Sequence, residues 1–353
     1  WRSLTQWIGG MGIIVLTIAL LPFLGVGGMQ LFVAEAPGIT PDKLKPRITD
    51  TAKRLWFIYF GLTFLEFVLL KFGGMSYYDA INHSLTTMAT GGFSTHQDSI
   101  AYYDNPFIHY VIIIFMLLAG TNFSVMYFLF HARFKKVFSN EEWRFYISGV
   151  AIVSILIIPI IFFKNGFNLE PAVRDGLFQV VSIITTTGYV TSDYTAWGSI
   201  VLFIIFCLMF VGGSAGSTAG GVKIVRHLII FKNSLLELKR TVHPSAIIPV
   251  RLNKSVVGRD ITFNIMSFLI IYLAIFIIGT ILVSASGVDF MTAIGASATS
   301  IGNIGPGIGN VGPVDNFAAM PSFSKWVLGF LMLLGRLELF TILLLFSPSF
   351  WKN

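Results

Sequence analysis

Charged residues are scarce in this chain of 353 residues, and cysteine is almost absent. Asp, Glu, Lys and Arg make up 12% of the sequence, about half of what soluble globular domains carry. So few charges do not cover a water-facing surface of this size, which excludes an ordinary cytosolic enzyme and a disordered protein. Since Cys207 is the one cysteine, an intrachain disulfide and a cysteine-based metal site are excluded as well. The composition leaves an integral membrane protein.

Hydrophobic residues form 55% of the chain. They gather in runs close to the roughly 20 residues that an α-helix needs to cross a bilayer, rather than in the alternating segments of about ten residues that build membrane barrels. We therefore predict an all-α integral membrane protein with seven spans. The predicted spans are 7–33, 55–72, 106–130, 145–163, 197–230 with an interruption, 261–284 and 323–347.

Basic residues mark one side of the predicted membrane. The connections 34–54, 131–144 and 223–260 hold most of the 24 lysines and arginines. Such loops lie in the cytoplasm, so we assign these three connections to that side. Nucleic-acid binding, another use of a net charge of +7, is disfavoured because the basic residues lie between spans.

A repeated unit occupies the three outer connections. Segments 79–92, 175–188 and 289–302 each begin with an aspartate, continue for the length of a short helix, and end in a glycine 13 residues after the aspartate. The hydroxyl residues two positions before these glycines are Thr90, Thr186 and Ser300. Three copies in one register predict three equivalent structural units.

The repeat predicts a cation pathway. Aspartate is a favourable helix N-cap, and about ten helical residues reach only about 15 Å, half of the hydrocarbon core. Each helix therefore ends at mid-membrane, where extended backbone must be buried in protein or line water. Carbonyl oxygens facing a common axis would replace the water shell of a dehydrated cation. The alternative, that these are ordinary re-entrant packing segments, is disfavoured by the threefold recurrence.

Four residues from each unit are therefore predicted to form an ion-selectivity filter. They are Ala89, Thr90, Gly91, Gly92, Thr185, Thr186, Thr187, Gly188, Thr299, Ser300, Ile301 and Gly302. Three units do not close a ring, and residues 1–33 have the character of the outgoing span of a further unit that would begin before Trp1. Four units would give a pseudo-fourfold pore. His83 and His96 lack metal-ligand spacing, so no transition-metal site is expected.

A glycine-rich segment interrupts the fifth span. Five glycines in the ten residues 212–221 should unwind a helix, since each costs about 1 kcal/mol relative to alanine. A phosphate-binding loop is disfavoured because Val222 stands where lysine is required. A helix-packing face of small residues and a flexible gate across the pore remain. The candidate gate residues are Gly212, Gly213, Ser214, Ala215, Gly216, Ser217, Thr218, Ala219, Gly220 and Gly221.

Two charged residues lie inside predicted spans. Arg336 either pairs with Glu338 or helix carbonyls, or extends into the inner pore, where it would repel a cation and tether the gate. Residues two apart on a helix do not face each other, which disfavours the local pair. Glu66 is either a buried counter-ion or an interfacial residue beside Lys71.

Six segments make the chain similar to the Trk/Ktr/HKT superfamily of potassium transporters, most closely to its bacterial TrkH branch. They are 6–12, 91–95, 185–189, 212–221, 303–307 and 335–338. The resemblance implies repeats of span, pore half-helix and span, and two further spans before the chain. The implied divisions are 1–50, the outgoing span of the first repeat with a cytoplasmic linker; 51–142, the second repeat; 143–250, the third repeat with the interrupted gate helix; and 251–353, the fourth repeat.

The resemblance also implies a function. It implies potassium uptake across the bacterial inner membrane by a multi-pass homodimer, regulated by a cytoplasmic RCK-type nucleotide-binding ring similar to TrkA. Potassium is the expected substrate ion, with sodium and rubidium as further candidates, and no cofactor is expected. Gly92, Gly188 and Gly302 imply preference for potassium over sodium, although Ile301 and Asn303 depart from the pattern of the other loops.

Other functions remain open alternatives at this stage. A sodium-selective or sodium-coupled transporter, including a symporter, would use the same scaffold. A membrane-embedded enzyme would need a nucleophile–base pair or metal ligands at matching depth, which the sequence does not offer. The basic connection 223–260 would contact lipid headgroups or dock the cytoplasmic regulator.

Overall fold

A computed structural model describes residues 1–12, 48–164, 166, 168–246, 248–337, 339–348 and 350–351. The predicted all-α fold is confirmed. Most of the predicted first span, 7–33, lies outside the described residues. The helices are α1 (Arg2–Trp7), α2 (Ile48–Phe72), α3 (Tyr77–Met88), α4 (Pro106–Ala119), α5 (Phe123–Phe130), α6 (Phe134–Ser139), α7 (Glu141–Lys164), α8 (Leu169–Ile184), α9 (Ser199–Leu208), α10 (Ile224–Val242), α11 (Arg259–Ala285), α12 (Phe290–Gly302), α13 (Ser322–Arg336) and α14 (Leu339–Leu345).

Within the described residues, three helices are individually long and apolar enough to cross a membrane: α2, α7 and α11. They match the predicted spans 55–72, 145–163 and 261–284. In their most apolar stretches only 28–33% of the residues are buried inside the protein. Most of their apolar side chains therefore face outward, as contact with lipid requires.

Two apolar runs that the sequence suggests as continuous spans are broken. The run 106–130 forms α4 and α5, which meet at an angle of 112°. The run 323–347 forms α13 and α14. The interruption predicted in the fifth span is present, because residues 211–223 between α9 and α10 contain no helix. Hydropathy reports burial in lipid or protein, not the direction of the backbone, so it does not reveal such bends.

The three short helices α3, α8 and α12 each pack between the long helix before them and a later apolar helix. At 1.5 Å per residue their 12 to 16 residues extend about 18–24 Å, so none crosses a bilayer alone. Their C-terminal halves are almost completely buried. The segments that follow them therefore lie in the interior of the protein rather than at its periphery.

The predicted aspartate caps are right in one unit of three. Asp289 caps α12 by accepting from the backbone N–H of Thr292 at 3.0 Å. In α3 the cap is Ser76, and Asp79 lies in the first turn. Helix α8 begins at Leu169, six residues before its aspartate, so Asp175 lies in the second turn and Glu170 is the acidic residue of the first turn.

A small cytoplasmic layer, by the predicted orientation, packs on α7 and α11. It consists of α10 and a hairpin in which β1 (Arg251–Leu252) pairs antiparallel with β2 (Ser255–Val256). A second hydrophobic cluster holds this layer together: Val225, Leu228, Ile229, Val250, Leu252 and Ile265.

Candidate functional site

The three short helices end in the same backbone motif. In each, one N–H bonds to the carbonyl three residues back, and the next N–H bonds to the carbonyl five residues back, which is the Schellman arrangement. The donor–acceptor pairs are Thr90–Thr87 and Gly91–Thr86, Thr186–Ile183 and Thr187–Ser182, and Asn303–Ser300 and Ile304–Thr299, all at 2.8–3.2 Å. The ends of the three helices are therefore superimposable in hydrogen-bond pattern.

Left-handed backbone conformations follow the same pattern. The first of each donor pair has positive φ: 49° at Thr90, 55° at Thr186 and 54° at Asn303. This conformation is rare for β-branched residues, and glycine usually occupies the position. Two positions later a glycine also has positive φ. These glycines are Gly92, Gly188 and Gly305.

The structure corrects the predicted register of the third loop. The glycine equivalent to Gly92 and Gly188 is Gly305, not Gly302, which is the last residue of α12. The error arises from the aspartates, because Asp289 is a cap whereas its sequence counterparts lie inside their helices. Counted from the caps, 16 residues separate Ser76 from Gly92 and Asp289 from Gly305.

The correction moves the third candidate filter by three residues. The predicted residues Thr299, Ser300 and Ile301 lie in the final turn of α12 and are fully buried. The segment that matches the other two loops is Gly302–Gly305. The first two predicted segments, Ala89–Gly92 and Thr185–Gly188, match each other in this backbone pattern without a shift.

The three loops touch one another in a regular order. A Cβ atom added to Gly92 would overlap the carbonyl oxygen of Thr187, and one added to Gly188 would overlap the carbonyl oxygen of Ile304. Each glycine thus abuts the residue that precedes the equivalent glycine in the next unit. Loops arranged around one centre would make this contact repeatedly, as seen here for two successive pairs. The contact also leaves no room for a side chain at Gly92 or Gly188.

Residues of α1 reach the first loop from the other side. The side-chain nitrogen of Gln6 donates to the carbonyl of Gly91 at 3.3 Å. The guanidinium of Arg2 lies 3.2 Å from the centre of the Phe93 ring. Helix α1 therefore packs against the same cluster as the three loops.

Buried hydroxyl groups brace the loops from behind, and sequence analysis did not identify them. The hydroxyl of Tyr189 lies 2.5 Å from that of Thr86 and donates to the carbonyl of His83 at 3.2 Å. The hydroxyl of Tyr194 donates to the carbonyl of Gly307 at 2.6 Å. The second unit is therefore bonded to both the first and the third. Its position directly after the Thr-Thr-Thr-Gly run was the one feature of the sequence that could have pointed to Tyr189.

The glycine-rich loop 212–221 lies directly against the candidate filter loops. The hydroxyl of Thr90 donates to the carbonyl of Thr218 at 2.8 Å, and the N–H of Gly220 donates to the hydroxyl of Thr186 at 2.6 Å. Gly221 faces the carbonyl of Gly302. Because the segment is not helical, the alternative of a helical packing face is wrong.

The other end of this loop bonds to the break between α4 and α5. Ser214 N–H donates to Gly120 O at 2.9 Å, and Phe123 N–H donates to Gly216 O at 3.1 Å. Backbone groups freed by the bend thus find partners in the loop, as buried backbone requires. Sequence analysis missed this bend, although a glycine and an asparagine at 120 and 122 were a signal for it.

Arg336 ends α13 and reaches the glycine-rich loop. Its Nη1 donates to the carbonyl of Thr218 at 3.1 Å. Lys223 bonds the carbonyl of Ala219. Glu338, the alternative partner of Arg336, lies outside the described residues. Glu66 is fully buried in α2, which favours an interior position over the interfacial one.

Asp79 supplies negative charge near the outer ends of the half-helices. Its carboxylate accepts from the hydroxyls of Thr95 at 2.6 Å and Ser76 at 2.7 Å. Burial alone would raise the pKa of Asp79, but these hydrogen bonds outweigh it and the pKa is lowered. The group is therefore charged at neutral pH. Across the part of the chain that the structure describes, no group of three His, Cys, Asp or Glu side chains is placed to hold a metal ion.

Comparisons with known proteins agree with one another. The family model TrkH, described as a cation transport protein, matches residues 1–164 and 165–353. The Trk system potassium uptake protein TrkH of Escherichia coli K12 is 42% identical, with 100% of this chain and 73% of that protein covered. TrkG of the same strain is 33% identical over the same shares of the two chains. The crystal structure of the potassium transporter TrkH from Vibrio parahaemolyticus matches with a TM-score of 0.85 and 35% identity, covering 99% of this chain and 72% of that one.

Proposed function

The chain belongs to the TrkH family of cation transport proteins, and from that membership and the geometry of its loops we propose that it takes up potassium through a central filter and an intramembrane gate. It is a multi-pass membrane protein and a transporter rather than an enzyme. The observation that carries the proposal is the repeated contact of Gly92 with Thr187 and of Gly188 with Ile304. That contact is what a ring of equivalent loops around an ion path requires.

The proposed filter consists of Ala89–Gly92, Thr185–Gly188 and Gly302–Gly305, completed by a fourth loop of the first repeat. Backbone carbonyls in these loops would replace the hydration shell of potassium. The C-terminal ends of α3, α8 and α12 point toward the same region, and the negative end of a helix dipole favours a cation there. We keep the division predicted from the sequence, with repeats at 1–50, 51–142, 143–250 and 251–353, as part of this proposal.

The proposed gate is the loop 212–221 with Arg336. Thr218 and Gly220 lie against Thr90 and Thr186, so the loop occupies the way out of the filter. Small residues allow the loop to move without displacing large side chains. Arg336 adds a positive charge beside Thr218 that opposes a cation and bonds the loop in place.

Partners are proposed from the side predicted to be cytoplasmic. Helix α10 and the hairpin present basic residues there: Lys232, Lys239, Arg240, Arg251 and Lys254. We propose that this surface contacts a nucleotide-binding regulatory ring, with anionic lipid headgroups as the alternative. A homodimer in a bacterial inner membrane completes the proposal.

Ion flux into liposomes containing the purified protein tests the function. Potassium and rubidium should enter much faster than sodium and lithium, because carbonyls set at fixed positions replace the hydration shell of the larger ions better. Sodium entry as fast as potassium entry would reject potassium selectivity and support the sodium-transporting alternative. Entry of none of these ions, with or without a regulator, would reject the proposed transport function.

A further inference from the structure

Two adjacent glutamates open helix α7 and point in different directions. Neighbouring helical residues are separated by about 100° around the helix axis. Glu142 faces the protein interior, with 7% of its surface exposed. Glu141 faces the layer formed by α10 and the hairpin. Neither residue has a role in the filter or gate described above.

Glu142 holds the glycine-rich loop. Its Oε1 accepts the backbone N–H of Ala215 at 2.6 Å. The partners of the neighbouring loop residues are backbone groups: Gly120 O for Ser214 and Phe123 N–H for Gly216. Among the described residues, Glu142 is therefore the acidic side chain on the face of the loop that points away from the filter.

Glu141 binds the cytoplasmic layer. Its Oε2 accepts from Lys232 Nζ at 2.5 Å and from the backbone N–H of Asn253 at 3.0 Å. The side chain of Asn253 in turn accepts the backbone N–H of Glu141 at 2.8 Å. Lys232 also donates to the carbonyl of Arg251 at 2.9 Å. Helix α10, the hairpin and the first turn of α7 are thus joined in one polar cluster.

These contacts form one continuous connection from the cytoplasmic layer to the loop. Hydrogen bonds to charged groups are shorter and stronger than neutral ones, and a helical turn keeps two neighbouring carboxylates at a fixed relative position. A displacement of α10 or the hairpin that pulls on Glu141 must therefore also move Glu142. The glycines beside Ala215 let the loop respond.

We propose that the first turn of α7 couples the cytoplasmic layer to the gate, with Glu142 as the positioning residue that keeps the loop closed and Glu141 as its connection to α10 and the hairpin. This inference rests on the proposed gating function of the loop 212–221. It adds a second hold on the loop, opposite to the one formed by Thr90, Thr186 and Arg336.

Chemical accessibility of the loop tests the coupling directly. A cysteine is placed at Ala219, which is 3% exposed, after Cys207→Ser has removed the natural cysteine. The labelling rate by a cationic thiol reagent then measures how often the loop opens, and rubidium flux is measured on the same samples. Glu142→Ala should raise the labelling rate about tenfold, because the backbone N–H of Ala215 loses its acceptor.

Matched variants separate positioning from general destabilisation. Glu142→Gln keeps an acceptor oxygen and should stay within about twofold of the parent labelling rate. Glu237→Ala removes an exposed glutamate that pairs with Arg240 on α10 and should change nothing. If Glu142→Ala does not fold, Glu142→Asp shortens the reach of the carboxylate and should still raise labelling severalfold.

The connection to the cytoplasmic layer is tested by a double-mutant cycle. Glu141→Ala should raise labelling in the parent but add nothing in the Glu142→Ala background, because both act through one link. The coupling is overturned if Glu141→Ala has equal effects in both backgrounds, or if Glu142→Ala and Glu142→Asp label at the parent rate. Rubidium flux through the wild-type protein would still support the transport function in that case. If the wild-type protein carries no rubidium but Glu142→Ala still labels faster, the transport function is rejected and the coupling between the cytoplasmic layer and the loop is retained.

Discussion

The proposed filter loops and the proposed gate loop are held in different ways. The filter loops repeat one backbone pattern three times and touch through glycines and carbonyl oxygens. The gate loop occurs once and, besides backbone bonds to the break between α4 and α5, is held by side chains from other parts of the chain, including Thr90, Arg336 and Glu142. Backbone contacts fix a geometry, whereas side-chain contacts can be made and broken. The difference fits a rigid filter above a movable gate.

The strongest test of this contrast is Gly188→Ser. The new side chain would overlap the carbonyl of Ile304, so the two loops must separate. We expect the preference for potassium over sodium to fall at least tenfold, or about 1.4 kcal/mol in differential binding, as measured by competitive ion flux.

A matched glycine controls for backbone strain. Gly74 also has positive φ, at 100°, but a Cβ atom there meets nothing within 4 Å. Gly74→Ala should cost about 1 kcal/mol of stability and leave selectivity unchanged. Equal loss of selectivity in both variants would show that strain, not contact between loops, explains the effect.

Release of the gate should have the next largest effect. Arg336→Ala removes the bond to Thr218 O and a positive charge beside the proposed gate. Basal rubidium flux should rise severalfold to about tenfold, since a charged hydrogen bond contributes about 1.5–3 kcal/mol, and ion preference should remain. Arg336→Lys keeps the charge, so its basal rubidium flux should lie between those of the wild type and Arg336→Ala. Unchanged flux in Arg336→Ala would remove the arginine from the gate.

A smaller effect is expected where side chains brace the filter. Tyr189→Phe removes the hydroxyl that contacts Thr86 and His83, which should lower stability by about 1–2 kcal/mol and weaken selectivity less than Gly188→Ser does. Thermal unfolding in detergent measures the first effect and competitive flux the second.

Tyr272→Phe is the matched control for this change. The hydroxyl of Tyr272 is buried and has no hydrogen-bond partner within the described ranges. Its removal should be neutral or slightly stabilising. Greater destabilisation by Tyr272→Phe than by Tyr189→Phe would contradict the bracing role.

The smallest effect is expected at the outer mouth. Asp79→Asn removes one negative charge and should lower rubidium flux about twofold at low ionic strength and less at high salt, because salt screens the attraction between this carboxylate and cations in solution. Since the pKa of Asp79 is lowered from its usual 3.8, wild-type flux should still show this contribution at pH 3.8 and lose it only as the pH falls further. A twofold loss that persists at high salt would point to a local structural effect instead.

Sequence analysis succeeded where the local pattern reports the backbone directly. Five glycines in ten residues predicted the unwound segment, and the first two loops were placed correctly relative to each other. The third loop was placed three residues early because identical aspartate spacings concealed different helix positions for Asp79 and Asp289. The cap-to-glycine distance is 16 residues in α3 and α12 but 20 in α8, from Asn168 to Gly188, so the hydrogen-bond pattern at the helix ends is what aligns all three loops.

Tertiary contacts explain the remaining omissions. The bend at Gly120 lies within a run that is apolar apart from a few residues around 120–124, and its freed backbone groups are satisfied by a loop almost 100 residues later in the chain. Likewise, the hydroxyl of Tyr189 is bonded to a different repeat. Such partners depend on how the repeats assemble, which periodicity within one segment does not contain.

Anomalous diffraction from crystals grown in rubidium would locate the bound ions and so test whether the three loops form an ion path. We expect rubidium peaks between the three loops, within coordination distance of the carbonyl oxygens of Gly91, Thr187 and Ile304. Rubidium bound elsewhere in the protein, with no peak beside these three carbonyls, would contradict it.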